Sequence, residues 1–151
     1  MKIILLSLFL LFSSVTLLAQ ANDSLLIASL ERTTCYGNCP YYKISVYSNG
    51  IVVYEGKQHV EPIGSYYTVV SNRKVLMILA MAESIDYWSL QNKYPAQGLG
   101  IIDFPTCITH VSLNGKQKTI YNRNDAPAAL IRYQNFFDIL FEEIEWKKPT
   151  E

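Results

Sequence analysis

Three cysteines, two histidines and a scatter of carboxylates are the side chains able to do chemistry in this chain. Cys35 and Cys39 stand closest, within Cys35-Tyr36-Gly37-Asn38-Cys39-Pro40. A redox dithiol needs a lowered thiol pKa, supplied by a helix N-terminus or a neighbouring cation. Here Pro40 and strand-like sequence follow, and three residues separate the cysteines where redox motifs place two. The pair is read as a disulfide staple at the head of the first hairpin, with a thiol-disulfide redox role as the alternative. Closing so small a loop stabilises by about 2 kcal/mol on the chain-entropy account. Gly37 is expected to take positive φ in the turn. Cys35, Cys39, His59 and His110 together make a donor set that zinc accepts. Their spacing matches no zinc motif, so no metal ligand is assigned. Cys107 is left over as a free thiol.

The carboxylates Glu61, Glu83, Asp86, Asp103 and Asp125 form no motif. Asp103 is the most notable, because it ends a long loop beside Pro105-Thr106; its ordinary role is an Asx-type turn. No serine elbow, phosphate-binding glycine loop or dinucleotide fingerprint is present. No catalytic residue and no cofactor are assigned. Eleven tyrosines offer a different kind of site. Tyr41, Tyr47 and Tyr54, with Tyr87, Trp88 and Tyr94, could form a platform for glycan or peptide, against the ordinary case of packed rings with wet hydroxyls. The candidate binding surface is Tyr47, Tyr54, Tyr94, Asp103 and Thr106, along the loop 91–105 and the tyrosine face beside it.

The elements that must position these residues follow from periodicity. Residues 25–33 alternate, with Leu26, Ala28 and Leu30 on one side, as a first strand. Residues 41–54 form a hairpin about Asn49-Gly50. A two-residue turn there pairs Val46 with Val53, putting Tyr42, Ile44, Val46, Ile51 and Val53 inward and Lys43, Ser45, Tyr47, Val52 and Tyr54 outward. Residues 66–70 are a further strand. Ser71 caps a helix from Asn72 to about Ser84, with Val75, Ile78, Leu79 and Ala82 as its buried stripe, widened by Leu76 and Ala80. A second hairpin spans 106–122 about Asn114-Gly115; it sets Val111 opposite Lys118, a mismatch that a bulge or a place near the sheet edge would relieve. Asp125 caps a last helix with Pro127 in its first turn. Its stripe is Leu130, Tyr133, Phe137, Leu140, Phe141 and Ile144, closed by Trp146 and the basic Lys147-Lys148. The fold class is α+β: an antiparallel sheet of about six strands with two Asn-Gly hairpins, packed on one face by two helices.

Composition narrows the rest. Half the residues are hydrophobic and 17% are charged, enough for a packed core. Thirteen basic residues balance thirteen acidic ones, so the electrostatic footprint of a nucleic-acid binder is missing. Met1-Lys2, an apolar run to Phe12 broken only by Ser7, and Ala19-Gln20-Ala21 read as a secretory signal over residues 1–21, cleaved after Ala19 or Ala21. A retained anchor is the alternative, but the run is short of the ~20 residues a spanning helix needs. This predicts an exported chain, periplasmic or extracellular, with residues 22–148 as one globular domain and no stable membrane insertion after cleavage.

Taken together, Leu30-Glu31-Arg32, the Cys35–Pro40 element, Tyr42, Gly50 and Tyr54-Glu55-Gly56 resemble the bacterial domain of unknown function 6438. Gly64, Tyr87-Trp88-x-Leu90, Tyr94, Asp103-x-Pro105-Thr106, Gly115 and Pro127 extend the likeness over nearly the whole mature chain. Cys107 is an addition to that pattern. The resemblance implies an exported bacterial protein and assigns no activity. The expected function is a non-catalytic binding or structural role toward an envelope or extracellular ligand. The alternatives are thiol-disulfide redox chemistry, or hydrolysis, at the Cys35/Cys39 or Asp103 region. Mass spectrometry of the secreted protein under non-reducing conditions should find a mature N-terminus at Gln20 or Asn22, Cys35 linked to Cys39, and Cys107 free. A Cys35–Cys107 link would contradict this topology.

Overall fold

The structure, a computed structural model, describes residues 24–149 apart from positions 99 and 102. The segment 1–21, expected to be a secretory signal, lies outside the described residues. The order of elements is β1 (Leu26–Arg32), β2 (Tyr41–Tyr47), β3 (Ile51–Gln58), β4 (Gly64–Val69), α1 (Asn72–Ser84), β5 (Lys93–Tyr94), β6 (Cys107–Leu113), β7 (Lys116–Asn122) and α2 (Ala128–Glu142). They make an α+β fold with one seven-stranded sheet, ordered β4-β3-β2-β1-β6-β7-β5. Only β5 runs parallel to its neighbour, β7. It is the strand beyond the six expected: two residues inside the stretch read as loop.

The inner face of the sheet is built from cross-strand rows. One row is Val111, Ala28, Val46 and Val52, and the next is Ile120, Thr109, Leu30, Ile44 and Tyr54. All are buried, and the apolar ones form one core cluster with Val75, Ile78 and Ala82 of α1 and Leu130, Tyr133 and Phe137 of α2. Thr109 is the polar member; its carbonyl accepts from the Tyr87 hydroxyl at 2.9 Å, and the two hydroxyls lie 2.8 Å apart. Along α2, Tyr133, Phe137 and Phe141 recur every four residues and so stand one above the other. With Tyr87 at one end and Trp146, Tyr54 and Tyr42 at the other, consecutive ring centroids lie 5.1–6.3 Å apart, an unbroken aromatic series through the core.

The first hairpin corrects the expected register. Val46 pairs with Val52, and Ile44 with Tyr54. The loop has three residues, Ser48-Asn49-Gly50, closed by Gly50 N–H donating to Tyr47 O at 3.0 Å, with Gly50 at φ +82°. A three-residue loop of this kind takes Ser48 out of β2 and shifts the pairing by one residue, which exchanges the faces of β3. Val52 and Tyr54 are therefore inside, at 0% and 6% exposure, while Ile51 and Val53 are half-buried on the opposite face. The second hairpin follows the predicted register, with Asn114 at φ +53° and Gly115 at φ +75°. Lys118 does lie opposite Val111, and no bulge intervenes. Its ammonium instead reaches past the core rim to the carbonyls of Trp88, at 2.8 Å, and Leu90.

The helix α1 has the predicted bounds and cap: Ser71 Oγ accepts from Lys74 N–H at 3.4 Å. Leu76 is 62% exposed, so the buried stripe is narrower than expected. The start of α2 also differs. Asp125 sits at φ +63° outside the helix, Pro127 occupies the cap position, and no side chain caps it. The lysines expected to close α2 lie beyond it; Lys147 pairs with Tyr67 of β4 through two 2.8 Å backbone bonds. Gly37 is not among the positive-φ residues.

Gly50 and Gly115 both need positive φ, but only Gly50 is crowded: a Cβ there would stand 2.6 Å from Val70 O, and at Gly115 nothing lies within 4 Å. Gly115→Ala should therefore show the conformational strain alone, about 1 kcal/mol. Gly50→Ala should lose more, about 3 kcal/mol, because backbone must move as well. Urea unfolding of the two variants checks the ranking, and equal losses would mean the Val70 contact yields freely.

Candidate functional site

The third inner row is the polar one. Asn122, Cys107, Arg32, Tyr42 and Gly56 lie side by side across β7, β6, β1, β2 and β3. Arg32 continues the inward parity of Ala28 and Leu30, so its charge faces the interior and requires a partner. That partner is Asp138 on α2. Arg32 Nε donates to Asp138 Oδ2 at 3.0 Å, and Nη2 donates to the same oxygen. The Tyr42 hydroxyl donates to Oδ1 at 2.5 Å. Burial and then the Asp138 hydrogen bond push the Tyr42 phenol well above its ordinary value. It stays a neutral donor at any physiological pH.

Two clefts open on either side of this network, and both reach Arg32 and Pro40. The first has a volume of about 350 Å³. Its walls are the Cys39-Pro40 end of the cysteine loop, the Phe104–Cys107 segment, the 122–126 turn and the first turns of α2. The loop is held by the pair Cys35–Cys39, whose sulfurs are at disulfide distance, 1.97 Å. Two bonds tie the end of β1 to the approach to β6: Thr33 N–H to Thr106 O at 3.0 Å and Thr106 N–H to Thr33 Oγ1 at 2.8 Å. In the floor, Asn122 Nδ2 donates to Gln134 Oε1 at 2.9 Å. Asn122 Oδ1 and Gln134 Nε2 are buried without a hydrogen-bond partner. Exchanging O and N in both amides leaves the same pair, one acceptor and one donor unmet.

The second cleft, of about 500 Å³, lies between β2, β3 and the end of α2. Tyr42, Tyr54, Phe141 and Trp146 line it, with Glu61 and Glu142 at its rim. Gly56 makes room for the 59–63 loop; a Cβ there would stand 2.0 Å from Pro62 O.

The predicted surface residues are divided between these places. Thr106 lines the first cleft, and its hydroxyl accepts from Arg123 Nε at 3.4 Å. Tyr54 lines the second, on the inner face and not the outer one expected. Tyr94 is 8% exposed, and its hydroxyl accepts from Gln91 N–H at 2.9 Å. Asp103 is exposed beside Phe104 in the loop, and Tyr47 sits at the far end of β2, next to the first hairpin loop. Cys107 faces the first cleft as a free, buried thiol; burial pushes it up to about 12, against the pull of Arg32. Among the described residues no group of three His, Cys, Asp or Glu could hold a metal ion. His110 lies instead against Thr119, its Nδ1 3.0 Å from Oγ1.

Sequence reasoning did not single out Asp138, Asn122 or Gln134, and it placed Trp146 only as the close of the α2 stripe. One signal was present: Gln134 and Asp138 are polar residues four apart inside the apolar stripe of α2, and Arg32 carries charge at an inward strand position. Tyr42→Phe should lower unfolding stability by about 2 kcal/mol, the loss of a hydrogen bond to a charged acceptor. Arg32→Met should cost more than Arg32→Met/Asp138→Leu, because the single variant strands a carboxylate. Urea denaturation measures both; a double variant weaker than the single would show that Asp138 has other support.

A scan against protein-family models matches residues 27–141 to the domain of unknown function DUF6438. No curated protein and no solved structure matches the chain. The match takes in all but the first residue of β1, the cysteine loop, the polar row and all but the last residue of α2, and on that extent the chain belongs to the DUF6438 family.

Proposed function

We propose that this is an exported, non-catalytic binding domain, and that its ligand site is the first cleft. The carrying observation is the floor of that cleft. Gln134 is 3% exposed, yet its Nε2 and the neighbouring Asn122 Oδ1 have no partner among the described residues. A buried amide left unmet costs about 1–3 kcal/mol, so a ligand that offers a matching acceptor and donor recovers that energy. Asn124 and Asn135 add further amides to the walls, and Phe104 and Ile131, at 48% and 43% exposure, add apolar surface at the rim. This lining suits a neutral ligand with clustered hydrogen-bonding groups and one apolar side. The residues sit where a rigid sheet end presents loops, the usual place for recognition.

Export rests on two supports. Residues 1–21 carry the composition of a secretory signal. The Cys35–Cys39 bridge belongs to an oxidising compartment, and it holds the loop that walls the cleft. A thiol-based activity is the weaker reading. The cysteine loop joins two strands, so no helix follows Cys39 in the chain as it does in redox dithiol motifs, and the Cys107 thiol is protonated at neutral pH.

Titration calorimetry with a panel of neutral oligosaccharides and short uncharged peptides, followed by amide NMR shifts, tests the site. At least one panel member should bind with its largest shifts at Thr106, Asn122 and Gln134. Gln134→Met, which keeps the side-chain length, should weaken that binding at least tenfold. Binding that maps elsewhere, or a Gln134→Met variant that binds as tightly as the parent, overturns the assignment.

A further inference from the structure

The second cleft has a different chemistry from the first, and the reading of the first does not support or limit it. One wall is the end of the aromatic series. Tyr42 to Tyr54 is 6.0 Å at 30°, Tyr54 to Trp146 is 5.1 Å at 28°, and Trp146 to Phe141 is 6.3 Å at 30°. These rings stack in series, their planes inclined by 28–30°. Tyr54 and Phe141 are buried, and Tyr42 and Trp146 keep part of their surface open.

The charges in the cleft do not cancel. Arg32 is taken up by Asp138, and both oxygens of Asp138 are occupied, one by Arg32 and one by Tyr42. That leaves Glu61, from the loop after β3, and Glu142, the last residue of α2. Neither makes an ion pair among the described residues. Lys74 and Lys147 lie outside the cleft lining. Lys74 Nζ lies 5.8 Å from the Phe141 ring and donates to Leu140 O at 3.1 Å, from the α1 side of α2. Lys147 is exposed beyond Trp146 and does not line the cleft.

We infer that the second cleft binds a small organic cation, an alkylammonium or guanidinium group, against the Tyr42–Trp146 ring wall and between the carboxylates of Glu61 and Glu142. A π surface attracts a cation that sheds its water easily, and carboxylates at the rim supply the charge. Anions meet two unpaired carboxylates there. An inorganic divalent ion needs three or more close oxygen or nitrogen side-chain ligands, and no such group exists among the described residues. The volume of about 500 Å³ holds an amino-acid-sized cation. The group can arrive as a free molecule or as the side chain of a basic peptide, since the recognition chemistry is the same.

The test titrates tetramethylammonium, argininamide, a short arginine-containing peptide and, as an anionic control, acetate, at constant ionic strength, following the indole signals of Trp146 and Trp88 by NMR. Tetramethylammonium or argininamide should shift Trp146, leave Trp88 in place and saturate, while acetate should do nothing. Tighter binding of the peptide than of argininamide assigns the cation to a side chain; equal binding assigns it to a free molecule. Glu61→Gln/Glu142→Gln, both at exposed positions, should weaken binding at least tenfold, and Gln134→Met should leave it unchanged. The inference fails if neither small cation shifts Trp146, or if the double glutamine variant binds as the parent does.

Discussion

The carboxylate of Asp138 holds the architecture together at its most demanding point. It accepts from Arg32 on β1 and Tyr42 on β2, residues that lie 106 and 96 positions away in the chain. An arginine at an inward strand position would otherwise be a partly buried charge without compensation, which costs several kcal/mol. With Asp138 in place, the same charge fixes α2 across the two central strands. Both clefts follow from that placement. They are the spaces left on either side of this strut between helix and sheet.

The three inner rows explain why the site is where it is. Two rows are aliphatic and aromatic and make the core. The third, from Asn122 to Gly56, carries the polar groups and falls where the core ends and the loops begin. The cysteine bridge holds the loop over this row, and the Thr33–Thr106 bonds hold the approach to β6 against it. Residues that carried the family likeness in the sequence, Arg32, Cys39, Pro40, Tyr42 and Thr106, are thus brought to one end of the sheet by register and not by proximity along the chain. The two clefts share a wall but offer opposite chemistry, unmet amides in one and unpaired carboxylates beside rings in the other.

Local signals in the sequence were sufficient wherever the determinant was local. Ser71 and the spacing of Val75, Ile78 and Ala82 define α1, and Asn114-Gly115 defines the second hairpin with its register. They failed where a single residue of loop length decides the outcome. Ser48 joins Asn49 and Gly50 in the first turn, and that alone turns Val52 and Tyr54 inward. They also failed where an immediate neighbour engages a candidate cap, and where pairing is long-range. Asp125 has the chemistry of a helix cap but takes φ +63°, and its carboxylate accepts from Asn124 Nδ2 at 2.7 Å. The strand β5 has only two residues and exists because β7 offers it a free edge. The Arg32–Asp138 bond is invisible to any window along the chain, although an inward arginine demands some such partner.

The backbone pairing of Lys147 with Tyr67 bears on how the protein behaves in a crowded solution. β4 is an outer strand, and Val69 on it is 66% exposed, so its free backbone groups are a template for another chain. The segment after α2 occupies part of that edge, and Trp146, the residue before Lys147, is anchored by its stacking on Tyr54 and Phe141. The guard on the edge is therefore held by two backbone bonds and one indole ring. Packing in the cleft and cover of the β4 edge thus share one short segment, Trp146-Lys147.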